Sequence, residues 1–400
     1  MKLKHCLILL TLVSVMADTM LLPFYPQFFS VAFNMHSPEH VGFYIAACCL
    51  TVMTAFPLWA KVAKHFNELH IWVYTQIIAG ALGIYCYFTS DLIEFWIASQ
   101  IMLIFKASYL LIYPFVMRLE EKDQQLGMVG LFSVLMHFGG IGGAVLGGLT
   151  LQWFDAKNIY LIMAASDALQ VLVCLYLIFK LNIPLRVKLT EIIASEKTNI
   201  TLTGGQNFIL KLGIVTALFY FSAFLIRPFF ASYWQTISEW DSEIVSALVY
   251  AIPAGIALLC LLLSYRFSSS QSNFQIISRA LCIGMLGLFL QGSQEYWMVI
   301  LGRCIFGFSM YQVSVRLEVF LFNVSEPENY GRDYSKIHIF QNVGIILASF
   351  ATGYLAKILD ASIPFFLAVG GFFITLSLFY WLFKPRLSEQ VHSPQPVADV

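Results

Sequence analysis

Long apolar runs separated by short polar breaks recur along the whole 400-residue chain. A helix needs about 20 mostly apolar residues to cross roughly 30 Å of hydrocarbon. On that rule the pattern predicts twelve spanning helices, at 5–30, 41–60, 71–90, 94–117, 125–151, 159–180, 207–233, 243–265, 274–292, 296–322, 335–356 and 362–383. Run length argues against a barrel, whose strands would alternate over about 10 residues. One connection is long, about 181–206, and carries Arg186, Lys188, Glu191, Glu196 and Lys197 ahead of Gly204 and Gly205. The expectation is an all-α membrane protein with an amino-terminal six-helix half over 1–185, a cytoplasmic linker over 186–206, a second six-helix half over 207–384 and a cytoplasmic tail over 385–400.

Composition sharpens this reading. With 59% hydrophobic, 16% aromatic and 12% charged residues, too little polar surface exists to cover a water-soluble particle. A disordered chain, a disulfide scaffold, a nucleic-acid binder and a soluble enzyme all fit poorly. Net charge is zero, so bulk charge names no partner. Its distribution is informative: seventeen Lys and Arg fall on the side of the termini, against Lys157 and Lys357 on the other. The positive-inside rule then predicts a multi-pass protein of the cell (inner) membrane with both termini cytoplasmic. The opening MKLKHCLILLTLVSVMA has the look of a cleavable signal. The apolar run nevertheless continues through Asp18 to Phe33, and cleavage would leave eleven spans. The eight cysteines lie in or beside apolar spans without CxxC spacing and read as small core-filling residues.

The halves repeat at an offset of 205. Pro23 maps onto Pro228, Lys61 onto Arg266, Gly148 onto Gly353 and Asp155 onto Asp360. This predicts a six-plus-six duplication about an axis along the membrane normal, with a solute cavity between the halves.

The fifth span carries Gly130-x8-Gly139-x3-Gly143-Ala144-x2-Gly147-Gly148. Glycines at these intervals flatten a helix face so that a neighbour can approach closely, and generic small-residue packing is the plainer reading. The spacing resembles the antiporter motif of the major facilitator superfamily, Gly-x8-Gly-x3-Gly-Pro-x2-Gly, with Ala144 at the proline position. Pro23-Phe24-Tyr25-Pro26 resembles the Pro-x-x-Pro of that superfamily's twelve-span drug exporters. Arg303-x3-Gly307 is similar to an Arg-x3-Gly motif usually found in span four, where this chain has Gln100. The superfamily's loop between spans two and three is hardly recognisable in residues 57–64, where Lys61 takes the place of its Asp. The resemblance implies the superfamily's fold over about 5–384, and it resembles most the proton-coupled drug and siderophore branch.

Ionisable groups within spans are expensive and are functional candidates by default. The acids are Asp18, Asp167 and Glu318, candidates for proton coupling. Asp18 leads, because a mid-span carboxylate can hold a proton in low dielectric and release it when the cavity wets; its alternative role is a structural partner for a base such as Lys106. The bases are Lys106, Arg227, Arg303 and Arg316; with Tyr25 and Gln312 they are candidates for solute binding. His137 and His338 are weaker candidates. Arg316 and Glu318, two residues apart, stand roughly 200° apart around a helix, so they cannot both face one cavity. Lys106 and Arg227 have no acid within a helical turn of their own sequence, which suits a carboxylate or phosphate ligand.

These features lead to a proton-coupled secondary transporter of a small anionic or amphipathic solute, with a carboxylate-type siderophore as one fitting class. Its expected partners are the solute, protons and the lipid bilayer, with no nucleic acid and a monomeric state. A multidrug/proton antiporter exporting hydrophobic compounds is the alternative, and a non-transporting membrane sensor the third reading. No metal-ligand spacing, nucleotide loop or nucleophile–base pair is visible, so neither an enzyme nor a cofactor is expected.

Overall fold

The computed structural model describes residues 3–112, 115–116, 122–186, 203–264, 272–322, 330–358 and 360–390. Most of the expected linker and tail, together with Arg266 of the repeat, therefore lies outside the described residues, as do the side chains of His137 and Lys357.

The chain is almost entirely helical: α1 (Leu3–Thr19), α2 (Tyr25–Phe33), α3 (Pro38–Val62), α4 (Glu68–Phe88), α5 (Leu92–Lys106), a 3₁₀ turn (Ala107–Leu111), α6 (Lys122–Trp153) and α7 (Asn158–Leu181) form the first half. The second half holds α8 (Thr203–Phe224), α9 (Phe230–Ile237), α10 (Glu243–Ser264), α11 (Asn273–Gln291), α12 (Tyr296–Phe322), α13 (Tyr330–Ile358) and α14 (Ile363–Gln390). Among the described residues, nine helices are long and apolar enough to cross a bilayer. Counting α1 with α2 and α8 with α9 as broken single crossings, the halves hold six each.

Local chemistry sets the starts. Ser37, Asn67, Asp91 and Ser272 accept hydrogen bonds from the first free N–H groups of α3, α4, α5 and α11. The first and seventh crossings, expected as continuous helices over 5–30 and 207–233, are interrupted instead. Pro23 and Pro228 lack the N–H that continues a helix, and residues 20–24 and 225–229 leave helical register. Phe24 and Phe229 then open α2 and α9 with nearly the same backbone (φ −120°, ψ 11° and φ −113°, ψ 5°). The fourth crossing also differs from a plain helix over 94–117, tightening into the 3₁₀ turn after Lys106. The second crossing, expected to end at 60, runs on through Lys61 and Val62 as α3.

The duplication is visible in the helix starts, with α5 and α12 beginning 204 apart. Other helices begin at 25 and 230, 38 and 243, 68 and 273, and 158 and 363, each pair 205 apart. Two close helix contacts between the halves obey the same offset. A Cβ on Gly148 of α6 would lie 2.7 Å from the Glu243 carbonyl oxygen and 3.0 Å from the Ala247 Cβ. One on Gly353 of α13 would lie 3.0 Å from the Pro38 carbonyl oxygen and 2.9 Å from the Gly42 Cα. Gly148 answers to Gly353, Glu243 to Pro38 and Ala247 to Gly42. Both crossings lie at the end of the bundle away from the chain termini, as do the Gln27–Gln235 hydrogen bond and the Phe43–Phe350 ring contact. The halves are joined at that far side.

Their cores differ. In the second half one apolar cluster runs from Phe208 and Phe383 through Phe219, Phe306 and Phe372 to Tyr233 and Phe365. The first half has two clusters, one around Leu7, Trp72 and Leu177 and one around Phe28, Tyr44 and Phe95. Between them in sequence, on each of four helices, falls a buried polar residue: Ser14 on α1, Thr75 on α4, Lys106 on α5 and Asp167 on α7; the exposed Asp18 follows one turn after Ser14.

Candidate functional site

The polar layer of the first half is assembled by close helix packing. Gly80 of α4 lets α7 approach until its own hypothetical Cβ would touch the Asp167 Cβ at 3.5 Å. Lys106 ends α5 where the chain tightens, and Asp18 sits just before α1 breaks. The result is one ammonium between two carboxylates. Lys106 Nζ donates to Asp167 Oδ1 at 2.7 Å and to Asp18 Oδ1 at 3.0 Å. Ser14 Oγ donates to Asp18 Oδ2 at 3.3 Å, and Asp167 Oδ2 is buried with no donor.

Exposure separates the two acids. The Asp167 side chain is 1% exposed and Lys106 is 7% exposed, while Asp18 is 40% exposed. Asp18 and Lys106 border a cavity of about 170 Å³ whose wall includes Tyr25, Tyr44, Tyr160 and Met102. The expectation that Lys106 lacks an acid of its own is thus corrected. Both acids come from other helices, 88 and 61 residues away in sequence, where local spacing cannot show them. With both carboxylates ionised the triad is net negative, so Lys106 gives the cavity no uncompensated positive charge.

Arg303 is likewise buried, at 3%, and its partners are carbonyls and rings. Pro253 within α10 has no N–H for the Val249 carbonyl. Arg303 Nε donates to that oxygen at 3.3 Å, Nη2 donates to the Tyr250 carbonyl, and Nη1 donates to Gln291 Oε1 at 3.4 Å. Its guanidinium carbon lies 4.1 Å from the centre of the Phe230 ring. Arg303, a candidate for solute binding, thus directs its donors to Gln291 and to the carbonyls beside Pro253 of α10.

The remaining candidates of the second half are half-buried. Arg316 Nη1 donates to Asn273 Oδ1 at 3.3 Å, so it turns to α11. Arg227 stacks its guanidinium 4.1 Å over Phe224, and neither Arg227 nor Glu318 has an ion pair among the described residues. Gln312 is half-buried on α12. Tyr25, a candidate for solute binding, lines the cavity; Tyr44 and Tyr160, at the same wall, carry no distinguishing sequence signal in spans so rich in aromatics.

The glycine ladder of α6 serves two neighbours. Gly139, Gly143 and Gly147 abut Val15, Met16, Thr19 and Met20 of α1 within the same half, whereas Ala144 and Gly148 meet the other half. Gly130 belongs to α6, in a stretch whose surroundings lie outside the described residues.

Comparison with known proteins fits this architecture. The Major Facilitator Superfamily profile matches residues 7–314. Among similar solved structures, the nucleoside transporter NupG is 13% identical with a TM-score of 0.72, covering 96% of this chain and 100% of its own. The human organic anion transporter MFSD10 is 14% identical with a TM-score of 0.71, over 94% and 98%. A bacterial homologue of the human lysosomal transporter Spinster, inward-facing and occupied, is 13% identical with a TM-score of 0.73, over 98% of each chain. At such identities the likeness is one of fold. Comparison with curated protein sequences returns no match.

Proposed function

The chain belongs to the Major Facilitator Superfamily, and on that premise we propose that it is a proton-coupled secondary transporter moving a small amphipathic, anion-bearing solute by alternating access. The observation that carries the reading is the Lys106 ammonium shared by two carboxylates of which only Asp18 reaches the cavity. A charge within the membrane persists only when paired or hydrated. Asp167 keeps Lys106 ionised from the buried side. Asp18, partly wetted, can then gain or lose a proton without leaving the ammonium alone, and each exchange changes the net charge of the layer by one. Lys106, Asp167, Tyr25, Tyr44 and Tyr160 are the titratable groups that share this layer or its wall with Asp18.

Arg227 supports the anionic part of the reading. It lies next to Pro228 at the break of the seventh crossing, half-buried and without an ion pair among the described residues; a guanidinium there suits a carboxylate or phosphate group. With the termini cytoplasmic, as the basic residues favour, the joined far side is the external one and the molecule faces inward. Residence in the cell membrane and a monomeric state complete the proposal.

The test uses proteoliposomes and a solute found by a growth and uptake screen across carboxylates, metal chelates and toxic cations. Wild-type protein should accumulate that solute when a proton gradient is imposed. Asp18→Asn should lose accumulation yet keep solute exchange at saturating concentration. Accumulation that persists in Asp18→Asn and collapses with a protonophore would move coupling to Asp167 or Glu318.

A further inference from the structure

The cavity beside Asp18 has a chemistry of its own. It lies wholly in the first half, bordered by α1, α2, α3, α5 and α7. At about 170 Å³ it holds roughly five or six waters at ~30 Å³ each, which is the scale of a small substituted ammonium head. Its wall combines one carboxylate, three tyrosine rings and two methionines, Met102 and Met163, with aliphatic side chains. Tyr25 and Tyr44 pack as a tilted pair with centroids 5.5 Å apart, and Tyr44 and Tyr160 meet the space while largely packed against other rings.

The charge balance fixes which ligand sign this wall favours. Lys106 is the one base on it, and two of its three donors are spent on Asp18 and Asp167. Asp18 is less consumed: its Oδ2 receives only the long bond from Ser14 at 3.3 Å, and the side chain is 40% exposed. Two carboxylates against one ammonium leave a negative site when both are ionised. Tyrosine rings attract a cation through their negative faces, and cages of aromatic residues recognise substituted ammonium groups in this way. An anion would meet the opposite arrangement.

We infer that this cavity is a subsite for an ammonium group of the transported solute, held by the Asp18 carboxylate and by the rings of Tyr25, Tyr44 and Tyr160. The inference rests on the transport reading above and deepens it: an anionic group directed to Arg227 together with an ammonium group directed to Asp18 describes a zwitterionic solute. It also gives the proton a competitor, because protonation of Asp18 leaves a neutral triad with no charge to hold the ammonium.

Tetramethylammonium chloride tests the subsite without knowledge of the solute. Purified full-length protein should be stabilised by it in a saturable thermal shift, at constant ionic strength. Sodium chloride and the uncharged, similarly shaped tert-butyl alcohol should give no saturable shift. Asp18→Asn should weaken the apparent affinity at least tenfold, and Tyr44→Leu severalfold. Asp18→Glu, which keeps the charge should Asp18→Asn fold poorly, should retain saturable binding. Equal affinity in wild type and Asp18→Asn, or a tetramethylammonium response no different from that to sodium, would overturn the assignment. The two readings fail separately: saturable ammonium binding by a protein that moves no solute leaves the subsite and removes the transporter, whereas gradient-driven uptake without ammonium affinity does the reverse.

Discussion

The two halves share a scaffold and differ in what they bury. Their helices start 205 residues apart in four pairs, their broken crossings reopen at Phe24 and Phe229 with matching backbone, and their crossing glycines are Gly148 and Gly353. At the same offset, however, Asp18, Lys106 and Asp167 correspond to Ala223, Tyr311 and Phe372, all buried in the second half. One half carries a charged layer that splits its core; the other is packed continuously through that level. Each half also places a buried cation in its fourth crossing, but Lys106 faces carboxylates and Arg303 faces carbonyls and rings. Positions where backbone must bend or touch are duplicated, as are charges at helix ends such as Asp155 and Asp360. The charged layer inside the spans is not, which marks it as chemistry rather than scaffold.

The largest expected effect separates the two cations. Lys106→Met leaves the Asp167 carboxylate buried without its ammonium and beside the partly wetted Asp18, and removing one partner of a buried pair costs about 3–5 kcal/mol. Arg303→Met leaves the Val249 carbonyl and Gln291 Oε1 short of a donor, at about 1–3 kcal/mol for an unmet buried partner. Thermal unfolding in one detergent should therefore rank Lys106→Met below Arg303→Met. The triple change Lys106→Met, Asp18→Asn, Asp167→Asn should regain most of the lost stability without regaining accumulation. A greater loss in Arg303→Met would reverse the comparison and make the second half the electrostatic centre.

That ranking was not legible in the sequence, for a physical reason. Twelve crossings, the duplication and the packing glycines follow from composition and spacing, because membrane thickness and backbone contact act on every helix alike. Pairing across helices does not. Lys106 reads as unpaired because its acids are on α1 and α7, and Arg303 reads as a solute ligand because a carbonyl opened by Pro253 bears no mark in the side-chain pattern. Asp18 was legible, since a mid-span carboxylate before Pro23 stands out in an apolar run. Tyr44 and Tyr160 were not, since the chain has 19 tyrosines and 36 phenylalanines and only folding selects those beside Asp18.

A middle-sized effect tests the symmetry itself. Overfilling a close contact typically costs about 1–3 kcal/mol. In Gly148→Leu the new side chain meets the Glu243 carbonyl and Ala247; in Gly353→Leu it meets the Pro38 carbonyl and Gly42. Both contacts exist only while the far side is joined, so both variants should favour its opening by similar amounts. Spin labels at the exposed Val31 and Glu239 should show a longer distance in either variant. A shift in one alone would mean that the crossings, equal in geometry, are unequal in energy.

The smallest effect comes from a contact that breaks the symmetry. Gln27 Nε2 donates across the halves to Gln235 Oε1 at 3.1 Å, and Gln235 Nε2 donates to Glu243 Oε2 at 2.5 Å and to the Asp241 carbonyl at 3.0 Å. The chain of bonds thus ties α2, through α9, to the start of α10, whose Glu243 carbonyl is the one Gly148 abuts. A neutral hydrogen bond contributes about 0.5–1.5 kcal/mol net. Gln27 Oε1 is buried without a donor, so Gln27→Ala removes an unmet acceptor along with the bond and should fall at the low end. Gln235→Ala also deprives the Glu243 carboxylate of its donor, but that bond lies within the second half and does not bear on how the halves join. Since about 1.4 kcal/mol is a tenfold change in an equilibrium, Gln27→Ala and Gln235→Ala should each shift the balance of joined and open far sides by roughly two- to fivefold. The same label pair reads both. A Gln27→Ala shift as large as that of Gly148→Leu would show that hydrogen bonding, rather than the duplicated glycine contacts, holds the far side together.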